Sequence, residues 1–126
     1  MRDTIKKHQD FYADEIYPSA RAACFVIRTT PAKLPQNPRF GIVATKRTFR
    51  NAVDRNRAKR LLRDWIRASD EMLLCEYDYI FVAHGAILGA TRDAGLLAMS
   101  KALNHIMRVH RKTVRAERHI NGKRSI

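Results

Sequence analysis

The chain has 126 residues and a mass of 14.6 kDa, the size of one domain with one hydrophobic core. Hydrophobic residues make up 45% of it, which excludes a wholly disordered chain. Lys and Arg number 25 against 12 Asp and Glu, so the net charge is +13. This excess indicates a polyanionic partner, a nucleic acid first and an anionic membrane surface second.

Apart from two longer helices, the sequence predicts one short helix and three strands. Asp10–Tyr17 predicts a short helix, and Cys24–Thr29 predicts a strand rich in β-branched and aromatic residues. A proline-rich loop leads to a second strand, Arg39–Thr45, and Tyr77–Ala83 is the clearest strand. These segments, with two helices described next, predict an α+β domain in which helices pack on one sheet.

Two segments have the apolar periodicity of amphipathic helices. The first carries Ala58, Leu61, Leu62, Trp65 and Ile66 on one face. The second has Thr91 as its expected N-cap and a stripe formed by Leu96, Met99, Leu103, Ile106, Met107 and His110. Trp65 is expected in the core, because it lies on the apolar face. We expect the basic tail from Lys112 to be frayed or disordered and to add salt-dependent, non-specific affinity.

No targeting or disulfide signal is visible in the chain. The N-terminus has no apolar segment typical of a secretory signal, and the most apolar stretch, Tyr79–Ala83, is too short to cross a bilayer. Cys24 and Cys75 could form at most one bridge. We therefore expect a cytoplasmic protein with two reduced thiols and no membrane partner.

The segment Lys46–Arg67 concentrates the positive charge, with nine cations against two anions in 22 residues. Arg55, Lys59, Arg63 and Arg67 recur every four residues, nearly opposite the apolar face. Like charges at this spacing destabilise an isolated helix by about 0.2–0.5 kcal/mol per pair. A one-sign ladder is favourable where it meets phosphates. The alternatives are a solvated basic face and a membrane-surface helix, which is disfavoured because the apolar face is needed to cover the sheet.

Folded RNA fits this helix better than DNA does. No helix-turn-helix, zinc-finger or zipper spacing is present, whereas an arginine-rich helix on a small α+β domain suits RNA recognised by shape and phosphate. Two rival interpretations stay open at this point: a ribosomal or general RNA-binding protein, and a nucleoid DNA-binding protein.

The order of residues within this segment carries a family resemblance. Asn51–Arg63 reads Asn-Ala-Val-Asp-Arg-Asn-Arg-Ala-Lys-Arg-Leu-Leu-Arg and resembles the signature of the bacterial ribonuclease P protein subunit, Asn-Ala-Val-x-Arg-Asn-Arg-x-Lys-Arg-Leu-x-Arg. Phe40–Arg47, Asp78–Ala83 and Ile5–Phe11 resemble flanking parts of that family. The resemblance covers roughly Ile5 to Arg111.

The resemblance implies a fold and a function. The expected fold is an α-β sandwich with about four strands and three helices, similar to the second domain of ribosomal protein S5, with a left-handed β-α-β crossover. The expected domain spans residues 1–111, followed by the tail 112–126. The family forms a ribonucleoprotein with a catalytic RNA that removes the 5′ leader from precursor tRNA and leaves a 5′ phosphate. The RNA holds the active-site Mg²⁺ ions, and the protein grips the leader and lowers the Mg²⁺ requirement.

The resemblance also implies which residues meet RNA. The surface toward the catalytic RNA would comprise Lys46, Arg47, Arg50, Asn51, Arg55, Asn56, Arg57, Lys59, Arg60, Arg63 and Arg67. Phe11, Val26 and Arg28 would line a cleft for the leader, with Phe25 and Ile27 turned to the core by alternation. Two positions depart from the family: Glu15 stands where a second aromatic is common, and Arg28 where some members have Tyr.

We expect no catalytic residue, no metal ligand and no bound cofactor on the protein itself, and no obligate protein partner. Two-metal phosphoryl chemistry needs clustered carboxylates, and the acidic residues form no recognised metal motif. The five histidines show no ligand spacing with the cysteines.

Overall fold

The structure, a computed structural model, describes residues 3–4, 17–34 and 39–124, with side chains described for 17–34 and 39–116. The strands are β1 (Asp3–Thr4), β2 (Ser19–Arg21), β3 (Phe25–Pro31), β4 (Arg39–Val43) and β5 (Tyr77–Ala83). The helices are α1 (Ala52–Ala68) and α2 (Arg92–Arg124). Short 3-10 helices at Asp70–Met72 and Gly85–Gly89 flank β5.

The strands form one mixed sheet in the order β1-β4-β5-β3-β2. β5 lies at its centre, parallel to β4 and antiparallel to β3. The two outer strands are short: β1 runs parallel to β4, and β2 runs antiparallel to β3. The connection β4–α1–β5 therefore joins adjacent parallel strands, so α1 crosses over the sheet between them.

The main core lies between the helices and one face of the sheet. Phe25 and Ile27 of β3 point into it, as strand alternation predicted, and Tyr79 and Phe81 of β5 lie beside them. Trp65 of α1 is fully buried, as predicted, with its ring centroid 6.3 Å from that of Phe25. The helix residues that fill this core are Ala58, Leu62, Trp65, Ile66, Met99, Ala102, Leu103 and Ile106.

A glycine allows the two helices to approach closely at Trp65. Gly95 is buried in the first turns of α2, and a methyl group built on it would overlap the Trp65 indole ring. The contact needs a residue without a side chain, so Gly95 sets the distance between α1 and α2.

The second helix begins as expected and continues further than expected. Thr91 Oγ1 accepts a hydrogen bond from the Ala94 backbone N–H at 3.2 Å, which confirms Thr91 as the N-cap. The helix extends to Arg124, beyond the point where a frayed tail was expected. Lys, Arg, Val and Ala continue the helix after Arg111 without a breaker until Gly122. The domain boundary at residue 111 stays a prediction.

Half-way along α2, a polar contact attaches the helix to the central strand. The Tyr77 hydroxyl lies 2.7 Å from His110 Nδ1, and the two rings meet edge to face with centroids 5.1 Å apart. His110 is half-buried. The contact holds the later turns of α2 against the start of β5.

Other expectations about the elements have mixed outcomes. The strand Tyr77–Ala83 is confirmed to the residue, whereas Arg39–Thr45 ends at Val43 because Thr45 begins a turn. The helix predicted at Asp10–Tyr17 lies outside the described residues except for Tyr17, which forms a bend. Two α-helices are described, so the count of three is not established. The short strands β1 and β2 were not anticipated.

Candidate nucleic-acid interface

A compact turn leads the chain into α1 and directs its cations outward. The Thr45 carbonyl accepts from the Phe49 N–H at 2.9 Å, and Thr45 Oγ1 accepts from the Thr48 N–H at 3.2 Å. Phe49 is buried and anchors this turn in the core. The side chains of Lys46, Arg47 and Arg50 are exposed around it. The turn thus places three exposed cations beside the start of the helix. Their contact with RNA stays a prediction.

Asn51 caps the helix, a role that sequence reasoning missed. Its Oδ1 accepts a hydrogen bond from the Asp54 N–H at 2.8 Å, and its Nδ2 donates to Asp54 Oδ2 at 3.1 Å. Asn is among the best N-cap residues, worth about 1 kcal/mol over alanine. The cap explains Asn at this position without any ligand. Its contact with RNA stays a prediction.

Arg55 has a structural role as well. Its Nη1 donates to the Phe49 carbonyl at 3.0 Å and to the Arg50 carbonyl at 3.2 Å. The side chain is half-buried, and it holds the turn against the first turn of the helix. Arg55, one of the four cations predicted to recur along the helix, therefore makes hydrogen bonds within the protein.

The remaining cations of α1 lie open to solvent or nearly so. Arg57, Arg60 and Arg67 are exposed, as is the neutral Asn56, and Lys59 and Arg63 are half-buried. Across the part of the chain that the structure describes, the side chains of the five cations make no hydrogen bond or ion pair. The apolar side of the helix carries Ala58, Leu62, Trp65 and Ile66 in the core, with Leu61 half-buried. The cations therefore form an outward face.

The two carboxylates of α1 are engaged away from this face. Asp54 bonds to the N-cap, and Asp64 Oδ2 accepts from Arg92 Nε at 2.9 Å. The hydrogen bond from Arg92 to Asp64, and then the charge of Asp64, raise the pKa of Arg92. Asp64 thus ties α1 to the start of α2, and the arginines of the outward face keep their positive potential.

The sheet face opposite the helices carries the described residues of the predicted leader cleft. Val26 is half-buried and Arg28 is exposed, and their register partners on β5 are Val82 and Ile80. Phe11 and Glu15 lie outside the described residues. Phe11 as a cleft residue therefore stays a prediction.

A buried ion pair lies on the same face, and sequence reasoning did not find it. Asp78 is 2% exposed and accepts from the Arg39 backbone N–H at 2.8 Å and from Arg39 Nη2 at 3.0 Å. The pair joins β4 to β5 at the start of both strands. Removing one partner of such a pair typically costs about 3–5 kcal/mol, so we assign Asp78 to the framework.

Neither a metal centre nor a disulfide is seen among the described residues. No three His, Cys, Asp or Glu side chains converge there. Cys24 is buried and Cys75 is exposed, and both are free thiols. Burial raises the pKa of the Cys24 thiol. No described helix has the length and apolarity that a bilayer crossing requires.

Comparison with known proteins identifies the family. The family model described as Ribonuclease P matches residues 2–108, which is most of the chain. This chain belongs to the ribonuclease P protein family. The ribonuclease P protein component of Staphylococcus carnosus is 32% identical over 108 residues, which cover 83% of this chain and 87% of the relative.

Solved structures of ribonuclease P proteins share the fold. The protein from Staphylococcus aureus matches with a TM-score of 0.64 at 25% identity, covering 82% of this chain and 94% of that one. The protein from Thermotoga maritima matches with a TM-score of 0.65 at 17% identity, covering 79% and 94%. The α+β architecture expected from the sequence is thus confirmed, and so is the assignment to a bacterial tRNA-processing ribonucleoprotein.

Proposed function

We propose that this protein is the RNA-binding subunit of a ribonuclease P holoenzyme that removes the 5′ leader from precursor tRNA. The observation that carries the proposal is the outward face of α1, where Arg57, Lys59, Arg60 and Arg63 of the ribonuclease P signature pair with no described residue, on a helix whose other side is buried. An arginine guanidinium group can donate two parallel hydrogen bonds to one phosphate. This face would therefore contact the catalytic RNA.

The leader would run along the sheet face opposite the helices. Arg28 is exposed there and its guanidinium can pair with a phosphate or stack on a base, while Val26 offers an apolar contact. Phe11 is the third residue proposed for this cleft. The same family resemblance leads us to propose a left-handed crossover for β4–α1–β5 and a likeness to the second domain of ribosomal protein S5.

Catalysis is assigned to the RNA component. Mg²⁺ held by the RNA would supply the metal chemistry. This protein would lower the Mg²⁺ concentration that the RNA requires, because it positions the leader and neutralises phosphates. We further propose that the protein binds no cofactor, needs no protein partner and acts in the cytoplasm.

Reconstitution tests the proposal directly. The purified protein would be combined at low Mg²⁺ with a bacterial ribonuclease P RNA and a 5′-labelled precursor tRNA, beside reactions that contain RNA alone or protein alone. We expect cleavage at the mature 5′ end only when both are present. Cleavage by the protein alone would overturn the assignment of catalysis to the RNA.

A third outcome would favour the rival interpretation. Tight RNA binding without stimulation of cleavage, repeated with the cognate RNA, would indicate a general RNA-binding protein. Competition between structured RNA and duplex DNA in the same binding assay would separate both RNA interpretations from a nucleoid protein.

A further inference from the structure

A second cationic face lies on α2, away from the signature helix. Lys101, Arg108, Lys112 and Arg115 are exposed and recur at steps of seven, four and three residues. At about 100° per residue they fall within roughly 60° of one another, on the side of the helix away from Met99 and Ile106. His105 lies about 20° beyond one edge of this arc, and Arg111 lies about 40° beyond the other edge. We call these six residues the α2 ladder.

The α2 ladder has no carboxylate beside it on its own helix. Between Asp93 and Glu117 the chain contains no Asp or Glu. None of the six residues forms an ion pair with another described residue; the contact of Arg111 is with Met107 Sδ, at 3.5 Å. Like charges three or four residues apart, as in the pairs Arg108–Lys112 and Lys112–Arg115, destabilise the free helix. Such an arrangement becomes favourable when an anion binds along it.

A groove joins the N-terminal end of the α2 ladder, at Lys101, to the edge of the sheet at β2. It has a volume of about 670 Å³ and lies between β2 and α2. Arg21 from the strand, and Lys101 and His105 from the helix, line it together with alanines and the exposed Leu97. Two cations from two elements, Arg21 and Lys101, thus border one opening, and no described carboxylate lines it.

The sheet order places this surface at the opposite edge from the start of the signature helix. α2 packs against β2, whereas α1 packs against β4 and β5. β4 and β2 are separated by three strand-to-strand steps, or roughly 14 Å. The signature arginines and the α2 ladder therefore reach different parts of any bound polyanion.

We propose that the α2 ladder, with Arg21, is a second RNA-binding surface that holds a segment of RNA distinct from the one that contacts α1. The proposal rests on the proposed function only in taking RNA as the polyanion. Its charge complementarity concerns backbone phosphates and implies no base specificity.

Salt dependence of binding to ribonuclease P RNA measures the number of phosphates that the protein neutralises. Removing one such cation–phosphate pair lowers the slope of log affinity against log salt by about 0.7–0.9. We expect Lys101→Gln to lower the slope by that amount, and the triple variant Lys101→Gln/Arg108→Gln/Arg111→Gln by about 2–3. Arg92→Gln is the matched control, because it removes one exposed cation of the same helix that is already paired with Asp64. Equal effects of Lys101→Gln and Arg92→Gln, or unchanged slopes, would overturn the proposal.

Tethered hydroxyl-radical probing locates the RNA segment. The exposed Cys75 of the native chain provides one attachment site, in an acidic segment, and Cys75→Ser variants carrying Asn104→Cys or Val53→Cys provide sites on the α2 face and at the start of α1. We expect strong RNA cleavage from positions 104 and 53 at different nucleotides, and weak cleavage from Cys75. Cleavage from position 53 without cleavage from position 104 would overturn the second surface alone.

The two proposals fail in different ways. If the protein does not stimulate tRNA cleavage but the triple variant still lowers the salt slope, the function is wrong and the second surface stands. If the protein stimulates cleavage and the triple variant binds with an unchanged slope, the second surface is wrong and the function stands. Circular dichroism of the triple variant should show an unchanged melting temperature, because all three residues are exposed.

Discussion

Single arginines of the signature differ in what they contribute. Arg60 is exposed and has no partner among the described residues, whereas Arg55 donates to two backbone carbonyls that precede the helix. Sequence position alone places both on a basic helix. Only the folded turn shows that one of them stabilises the protein and the other is free for a ligand.

This difference predicts two kinds of variant. Arg60→Ala should weaken binding to the catalytic RNA and leave the melting temperature unchanged. Arg55→Ala should also destabilise the fold by about 1–2 kcal/mol, because it removes hydrogen bonds from a charged donor. Thermal melts beside RNA-binding titrations check this. Equal melting temperatures for the two variants would contradict the role assigned to Arg55.

The two cysteines should differ in reactivity. Cys75 is exposed, whereas burial protects Cys24 and raises the pKa of its thiol. Since the thiolate is the nucleophile, a thiol-modifying reagent at pH 8 should modify Cys75 rapidly and Cys24 only after unfolding. Mass spectrometry of the labelled chain would identify the sites; rapid labelling of Cys24 would contradict the burial.

The same thiol has a small effect on stability at high pH. The folded state holds the Cys24 proton more tightly than the unfolded state does. Ionisation of the Cys24 thiol therefore has no effect on the free energy of unfolding below its ordinary pKa of 9.0. As the pH rises above that value, the free energy of unfolding falls.

The two helices approach each other closely at Gly95, where the backbone of α2 lies against the Trp65 ring of α1. A side chain there would overlap Trp65, so a larger residue at this position would push α1 and α2 apart. Gly95→Ala should destabilise the fold by about 1–2 kcal/mol, since overpacking exceeds the gain in helix propensity. We expect the melting temperature to fall by roughly 5–10 °C.

Gly89 provides the control for this substitution. A methyl group there meets nothing within 4 Å, so Gly89→Ala should leave the melting temperature nearly unchanged. Matched melts of the two alanine variants make the comparison. A similar small effect at both sites would show that the helices can separate without cost.

The sequence predicted long elements well and short ones poorly. β5 is apolar apart from Asp78 and is buried on both faces, and its limits follow from its composition. β2 contains only Ser-Ala-Arg, and its pairing with β3 comes from tertiary contacts rather than local propensity. The Arg39–Asp78 pair was missed for the same reason, because its partners lie 39 residues apart in the chain. The cap at Asn51 is a local pattern, Asn followed three residues later by Asp54, and could have been predicted from the sequence.

The net charge of +13 is distributed over more than one surface of the molecule. α1 and α2 each carry a cationic face, and Asp64–Arg92 joins them where they meet. The charge opposes self-association in the absence of RNA, and the short, arginine-bearing edge strand β2 limits pairing between sheets. RNA that binds these surfaces would stabilise the folded state by mass action.

The burial of Trp65 has a consequence for how the protein is made. Its indole ring packs against Phe25, which is synthesised early, and against Gly95, which is synthesised near the end. A growing chain that has released α1 but not α2 therefore leaves the apolar stripe of Leu62, Trp65 and Ile66 uncovered beside its arginines. Such a nascent helix would be cationic and amphipathic, a pattern that favours binding to anionic membrane surfaces. The completed fold, in which the apolar side of α1 is covered, therefore forms only after α2 has left the ribosome.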